Sequence, residues 1–292
     1  MLDILSGSGN RGRARWTLLV ALAIAGAAQP SAARAQRDVD RSRDRGAGLP
    51  TSMFGTYIER REFLVYPYFE YYRDDDAEYS PDELGFGLDQ DFRGKYRASE
   101  WLIFLGYGVS DRLAVELEAA TISASQERSP DDPSGTPARV EESGLGDVEG
   151  QIRWRWNGET EKRPEIFSYF EVVLPLQKTK RLIGTRDWEF QFGTGLVRGF
   201  AWGTTTLRAA VEYDAAEQSV GFGECGVEYL KRISPGLRAF VAVEGTGDEI
   251  ELITEAQWFL RPNVFIKLNN AFGLTSKAPD WAPEIGVMFS FR

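Results

Sequence analysis

The chain has 292 residues, with 44 acidic and 34 basic side chains, one cysteine, no histidine and a formal net charge of −10. That acidic balance argues against nucleic acid as a partner, because phosphates call for basic patches. Without histidine there is no Ser-His hydrolase and no His-containing zinc site, and one cysteine allows neither a thiolate zinc site nor an intrachain disulfide.

At the N-terminus, Arg11, Arg13 and Arg15 precede an apolar run from Trp16 to about Ala28, followed by Pro30 and Ala33-Arg34-Ala35. A basic region, a short apolar core and a small-residue end make 1–35 a cleavable signal peptide. Its removal takes away four Arg and one Asp, so the mature charge becomes −10 − 4 + 1 = −13. No later stretch holds the 18 apolar residues that would suggest a membrane-crossing helix. Residues 36–53 are rich in Arg, Asp and Gly and read as a flexible periplasmic leader.

From residue 54 to 292 the pattern predicts one all-β domain, a transmembrane antiparallel up-and-down β-barrel of about twelve strands. In Asp147–Trp156, Val148, Ile152, Trp154 and Trp156 share one face, and Asp147, Glu149, Gln151, Arg153 and Arg155 the other. Such period-two alternation makes a ribbon with one oily and one charged side. Strands are expected over 62–73, 92–109, 112–126, 144–156, 164–176, 187–200, 203–214, 219–232, 236–248, 250–261, 263–274 and 282–292. Pro67 interrupts the first of these, since proline cannot donate to a ladder, and marks either a bulge or the seam. Cys225 alternates with apolar neighbours and is expected to pack as a small side chain. Phe289-Ser290-Phe291-Arg292 fits closure beside the first strand.

Turn-like links fall at 110–112, 157–163, 201–202, 234–236 and 261–263, and more variable ones at 74–91, 127–143, 177–186, 215–218, 247–249 and 275–281. With the mature N-terminus in the periplasm, the short set is periplasmic and the variable set external, the asymmetry of outer-membrane barrels. Trp156, Trp188, Trp202, Tyr213, Trp258 and Trp281 near strand ends suit interfacial girdles. Asp74-Asp75-Asp76 could collect calcium or simply be a solvated acidic loop. Loop 127–143 could fold inward as a constriction or stay mobile outside.

On this orientation the lipid face includes Trp101, Ile103, Leu105, Val115, Leu117, Leu207, Val211, Leu268 and Ile285. The lumen is lined by Glu116, Glu118, Asp147, Glu149, Arg153, Arg155, Glu171, Glu189, Arg208, Glu212, Glu224, Glu228, Arg238, Glu244, Glu255, Lys267 and Glu284. Acids exceed bases about twofold in that list, which predicts preferential entry of cations. Pairing of the arginines with neighbouring acids would instead give a closed, charge-laced barrel. Glu116 with Glu118, or Glu224 with Glu228, has the form of a catalytic carboxylate pair, but any charged lumen shows same-face acids at these spacings.

Gly108-Val109-Ser110-Asp111-Arg112-Leu113 and Ser143-Gly144-Leu145-Gly146-Asp147-Val148 resemble a turn and a strand entry of outer-membrane channels in the family named after the MetA pathway of phenol degradation. The resemblance implies passage of small, aromatic or hydrophobic solutes and transfers no binding residue. The expected function is a passive outer-membrane channel for small solutes, with no enzymatic activity, cofactor or metal. Its partners would be outer-membrane lipid, the outer-membrane assembly machinery and an unidentified solute. The alternatives are a non-conducting structural or adhesion barrel, a soluble periplasmic binder and a barrel enzyme.

Overall fold

The computed structural model describes residues 41–292 except 216, 217 and 248; the signal peptide expected at 1–35 lies outside them. Twelve antiparallel strands close into a barrel. They are β3 (Phe63–Tyr79), β4 (Phe92–Ser110), β5 (Leu113–Glu127), β6 (Arg139–Asn157), β7 (Glu165–Val173), β8 (Glu189–Phe200), β9 (Gly203–Asp214), β10 (Ser219–Ser234), β11 (Leu237–Thr246), β12 (Glu249–Arg261), β13 (Val264–Gly273) and β14 (Ala282–Phe291). Each pairs with its sequence neighbour, and β14 returns to β3. Closure pairs the first wall strand with the last, leaving edges where β3 and β6 run on past the ends of β14 and β7.

The alternation in the sequence has its direct structural counterpart. Trp101, Ile103, Val115, Leu117, Val211, Leu268 and Ile285 project outward and exposed, while Glu100, Leu102, Ala114, Glu116, Glu118 and Lys267 are buried inside. The aromatic residues expected at strand ends, Trp156, Trp188, Trp202, Tyr213, Trp258 and Trp281, are all exposed on the outer surface.

Three expectations are corrected. The first concerns strand length, because β3 to β6 run 15–19 residues, well beyond the roughly 9–11 that cross a bilayer. The ladder therefore continues through parts of 74–91 and 127–143 that read as loops, because pairing needs only backbone groups and the apolar face can end before the strand does. The Asp74-Asp75-Asp76 run lies on this extension, where Asp75 pairs with Arg73 (2.6 Å) and Arg97, and Asp76 with Arg93 (3.7 Å). Among the described residues, no group of three acidic or sulfur ligands is placed to hold a metal ion.

The second is Cys225, which is exposed on the outer face beside an irregularity in β10–β9 pairing between Phe222 and Cys225. The bulge re-aims the strand there, which alternation alone does not reveal. Pro67 sits at the closing seam. Pairing of β14 with β3 passes from Gly286↔Tyr68 to Phe289↔Val65 without change of register, skipping the level of the proline.

The third correction is the leader. Of the leader expected at 36–53, residues 36–40 lie outside those described; from residue 41 the chain is packed against the barrel, and the first wall strand begins at Phe63. A short hairpin, β1 (Leu49–Pro50) with β2 (Tyr57–Ile58), lies inside the lumen, with Asp44, Arg45, Leu49 and Ile58 buried. Composition pointed to disorder because this segment buries few apolar side chains. Its order comes from backbone groups met by charged residues of the wall.

Candidate functional site

The hairpin fills the end of the barrel that carries the short turns. Arg45 pairs with Glu159 and Glu165 (both 3.0 Å) where β7 begins, and Arg155 pairs with Glu165 (2.9 Å) while donating to the carbonyls of Ala47 and Gly48. Asp44 accepts from the Arg232 backbone N–H (2.8 Å). Arg238 lies over the Phe259 ring at the same end. Two glycines let the segment approach the wall. A Cβ on Gly108 would stand 1.9 Å from the Glu59 carbonyl oxygen, and one on Gly199 would stand 2.1 Å from that of Arg41. Gly108 thus serves a close backbone approach, a need its turn motif does not reveal.

The hairpin tip forms a floor. The Ser52 backbone N–H (2.9 Å) and hydroxyl (2.7 Å) both donate to Glu116, which also pairs with Arg153 (3.4 Å). Arg153 donates to the Pro50 carbonyl (3.2 Å) and lies over the Tyr169 ring, 4.8 Å from its centroid. Lys267 pairs with Glu255 (3.1 Å) and donates to the Phe54 carbonyl (3.2 Å). Gln257 donates to the carbonyls of Phe54 (3.3 Å) and Gly55 (3.2 Å). Arg208 is held by Glu224 (3.1 Å), Glu228 (2.5 Å) and Glu244 (2.6 Å), with its guanidinium over the Phe54 ring. Charge-assisted bonds of this kind are the stronger class, and they hold a segment with little apolar area to bury.

Above the floor lies a chamber of about 240 Å³. Its wall carries thirteen carboxylates (Glu70, Glu100, Glu118, Asp147, Glu149, Glu171, Glu189, Glu212, Glu224, Glu244, Glu249, Glu251 and Glu284) against three bases, Arg153, Arg208 and Lys267. All three bases are engaged at the floor. The imbalance thus grows from the twofold excess read in the sequence to more than fourfold.

Of the residues placed in the lumen from sequence, Glu118, Asp147, Glu149, Arg153, Glu171, Glu189, Arg208, Glu212, Glu224, Glu244, Lys267 and Glu284 line this chamber. Glu116, Arg155, Glu228, Arg238 and Glu255 sit lower, around the hairpin and the turn end. Sequence reading missed Glu70, Glu100, Glu249 and Glu251, the tyrosines Tyr68, Tyr72 and Tyr169, and the floor residues Ser52, Met53 and Phe54. Glu100 was accessible, since it alternates with outward Trp101 and Ile103. Glu70 is masked because Tyr66, Tyr68 and Tyr72 put aromatic rings on the inner face of β3 as well.

Neither proposed carboxylate pair is left free to act as one. Glu116 is taken by Arg153 and Ser52, and Glu118 accepts from the Tyr68 hydroxyl (2.7 Å). Glu224 and Glu228 share Arg208. The link 128–138 does not line the chamber; Asp132 there accepts from the Tyr79 hydroxyl (2.9 Å) at the far rim. The loop that does reach the chamber is 174–188. Its Leu182 and Ile183 are buried, and the Thr185 N–H donates to Asp147 (2.5 Å) on the wall.

No protein-family model matches the chain, and no curated protein matches its sequence. Solved structures do share its fold. An outer membrane channel from Pseudomonas putida F1 superposes with a TM-score of 0.58 at 13% identity, covering 80% of this chain and 97% of that one. The KdgM porin gives 0.51 at 8% identity, covering 78% and 99%. The translocator domain of the autotransporter NalP from Neisseria meningitidis gives 0.50 at 10% identity, covering 78% and 88%. By their names the first is an outer membrane channel, the second a porin and the third a translocator domain, and at these identities the likeness is one of fold.

Proposed function

We propose that this chain is an outer-membrane channel that passes small solutes, prefers cations and is narrowed at its periplasmic end by its own N-terminal hairpin. The observation that carries the reading is the closed twelve-strand barrel enclosing a chamber with thirteen carboxylates and three bases. A low-dielectric wall lined with one sign of charge concentrates the opposite sign, and the apolar exterior suits acyl chains. The likeness to a channel and a porin fits this, as do the two segments resembling the phenol-degradation channel family. On this reading the chain is exported by its signal peptide, inserted by the outer-membrane assembly machinery and solvated by outer-membrane lipid.

Planar-bilayer recording tests it. In a salt gradient the reversal potential should take the sign of cation preference, and a variant lacking 41–58 should conduct more at equal preference. Anion preference would sink the selectivity claim. A specific observation favours a second reading, a non-conducting barrel: the floor is held by several buried ion pairs. Silent bilayers for both the intact chain and the shortened variant would establish that reading in place of the channel.

A further inference from the structure

The strand register sets carboxylates directly opposite one another. Glu70 is the cross-strand partner of Glu100 on β4 and of Glu284 on β14, so three acids lie side by side across three strands. Glu118 faces Glu149 across β5 and β6, and Glu244 faces Glu251 across β11 and β12. Like charges directly opposite in a ladder destabilise a sheet. Among the described residues, Glu70, Glu100, Glu118, Glu149, Glu251 and Glu284 form no ion pair with a lysine or arginine.

A second, separate observation comes from hydrogen bonding. Tyr169 is one of the chamber-lining residues and is 1% exposed, and its buried hydroxyl has no hydrogen-bond partner. One oxygen of Glu118 is likewise buried and unpartnered. Buried polar atoms left without partners in a cavity wall mark a place where something else supplies the bond.

The acids form no group placed to chelate a metal ion among the described residues. They repeat instead at the separation of neighbouring strands, about 4.8 Å. Amino groups joined by three or four methylenes stand about 5–6 Å apart, given bonds of about 1.5 Å. Between the acids the wall offers the rings of Tyr68 and Tyr72, surfaces on which methylenes pack and over which ammonium groups are attracted.

From these features we infer that the chamber is a binding site for an aliphatic polyamine, its ammonium groups bridging the cross-strand carboxylates and its methylenes lying along the tyrosines. The inference rests on the channel reading for its biological sense but on the wall alone for its chemistry. The like-charge pairs are then a cost carried by the empty barrel and relieved by the ligand.

The test is calorimetry of spermidine with the full mature chain in detergent. Spermidine should bind at one site per barrel and survive an equal concentration of magnesium. The double variant E70Q/E284Q should lose about tenfold in affinity, equivalent to about 1.4 kcal/mol. Without ligand it should unfold at a higher temperature, because repulsion is gone; a merely structural role would lower that temperature. E141Q, on the exposed rim, should bind as the unaltered chain does. If E70Q/E284Q does not fold, E118Q/E149Q decides by the same two readouts. Unchanged affinity, displacement of spermidine by magnesium, or loss of stability along with affinity overturns the site. Calorimetry does not require passage, so a silent bilayer with spermidine bound defeats the channel reading alone. A conducting barrel that ignores spermidine defeats the site alone.

Discussion

Arg208 shows what a single side chain does here. Its guanidinium answers Glu224, Glu228 and Glu244 while resting over Phe54, joining the β10 and β11 walls to the hairpin. Removing one member of a buried charge set leaves the others uncompensated, at a cost of about 3–5 kcal/mol. Arg208→Ala should therefore lose that much stability in urea unfolding in micelles, with Arg208→Lys intermediate; a loss below about 1 kcal/mol would contradict the account. Asp132 gives a case outside the barrel wall. Burial pushes its carboxyl up, but hydrogen bonds from Ser134 and Tyr79 outweigh this and hold it below its ordinary 3.8. A depressed folded value contributes stability that is complete above the ordinary value and lost as pH falls through the folded one. Hydrogen exchange across 128–138 should thus accelerate below about pH 4 beyond the intrinsic rate change. The same acceleration in Asp132→Asn would show that this carboxyl is not responsible.

The elements differ in how far they could be read from sequence. The twelve wall strands and the order of the links between them follow from alternation, because the outward apolar and inward charged positions repeat with the pleat; the strand ends within 74–79 and 139–143 do not. The hairpin was invisible because its partners are main-chain carbonyls at Pro50, Phe54 and Gly55, bound by side chains from distant strands. The opposed carboxylates were equally hidden. That Glu70 faces Glu284 depends on register across the seam, more than 200 positions apart, and composition carries no trace of it. Gly108 offers a test of how the hairpin's tail is seated. Gly108→Val would drive its side chain into the Glu59 carbonyl, so this backbone must shift. In a Cys225→Ser background, a Ser52→Cys thiol should then react faster with a water-soluble reagent than it does with Gly108 intact. Equal rates would mean the approach at Gly108 does not hold the floor in place.

For the molecule as a whole, the decisive property is which face meets lipid. Trp101, 68% exposed at the middle of β4, should be quenched by bromines on acyl chains when it is the only tryptophan retained. Quenching by aqueous iodide instead would place the apolar face in water and invert the design. The wall closes where β14 meets β3, with Tyr66 and Tyr68 stacked 4.6 Å apart beside Gly286 and Arg292 pairing with Glu59 (3.1 Å) and Glu62 (3.3 Å) just below the first strand.

The hairpin is translated ahead of every strand that grips it. Its anchors belong to β5, β6, β9, β12 and β13, so its berth is completed only when nearly the entire polypeptide has arrived. The earliest segment must wait for the latest, and it docks only once the seam has closed. Chains refolded from urea should accordingly pass through a species whose wall is complete while its N-terminal stretch is still open to protease.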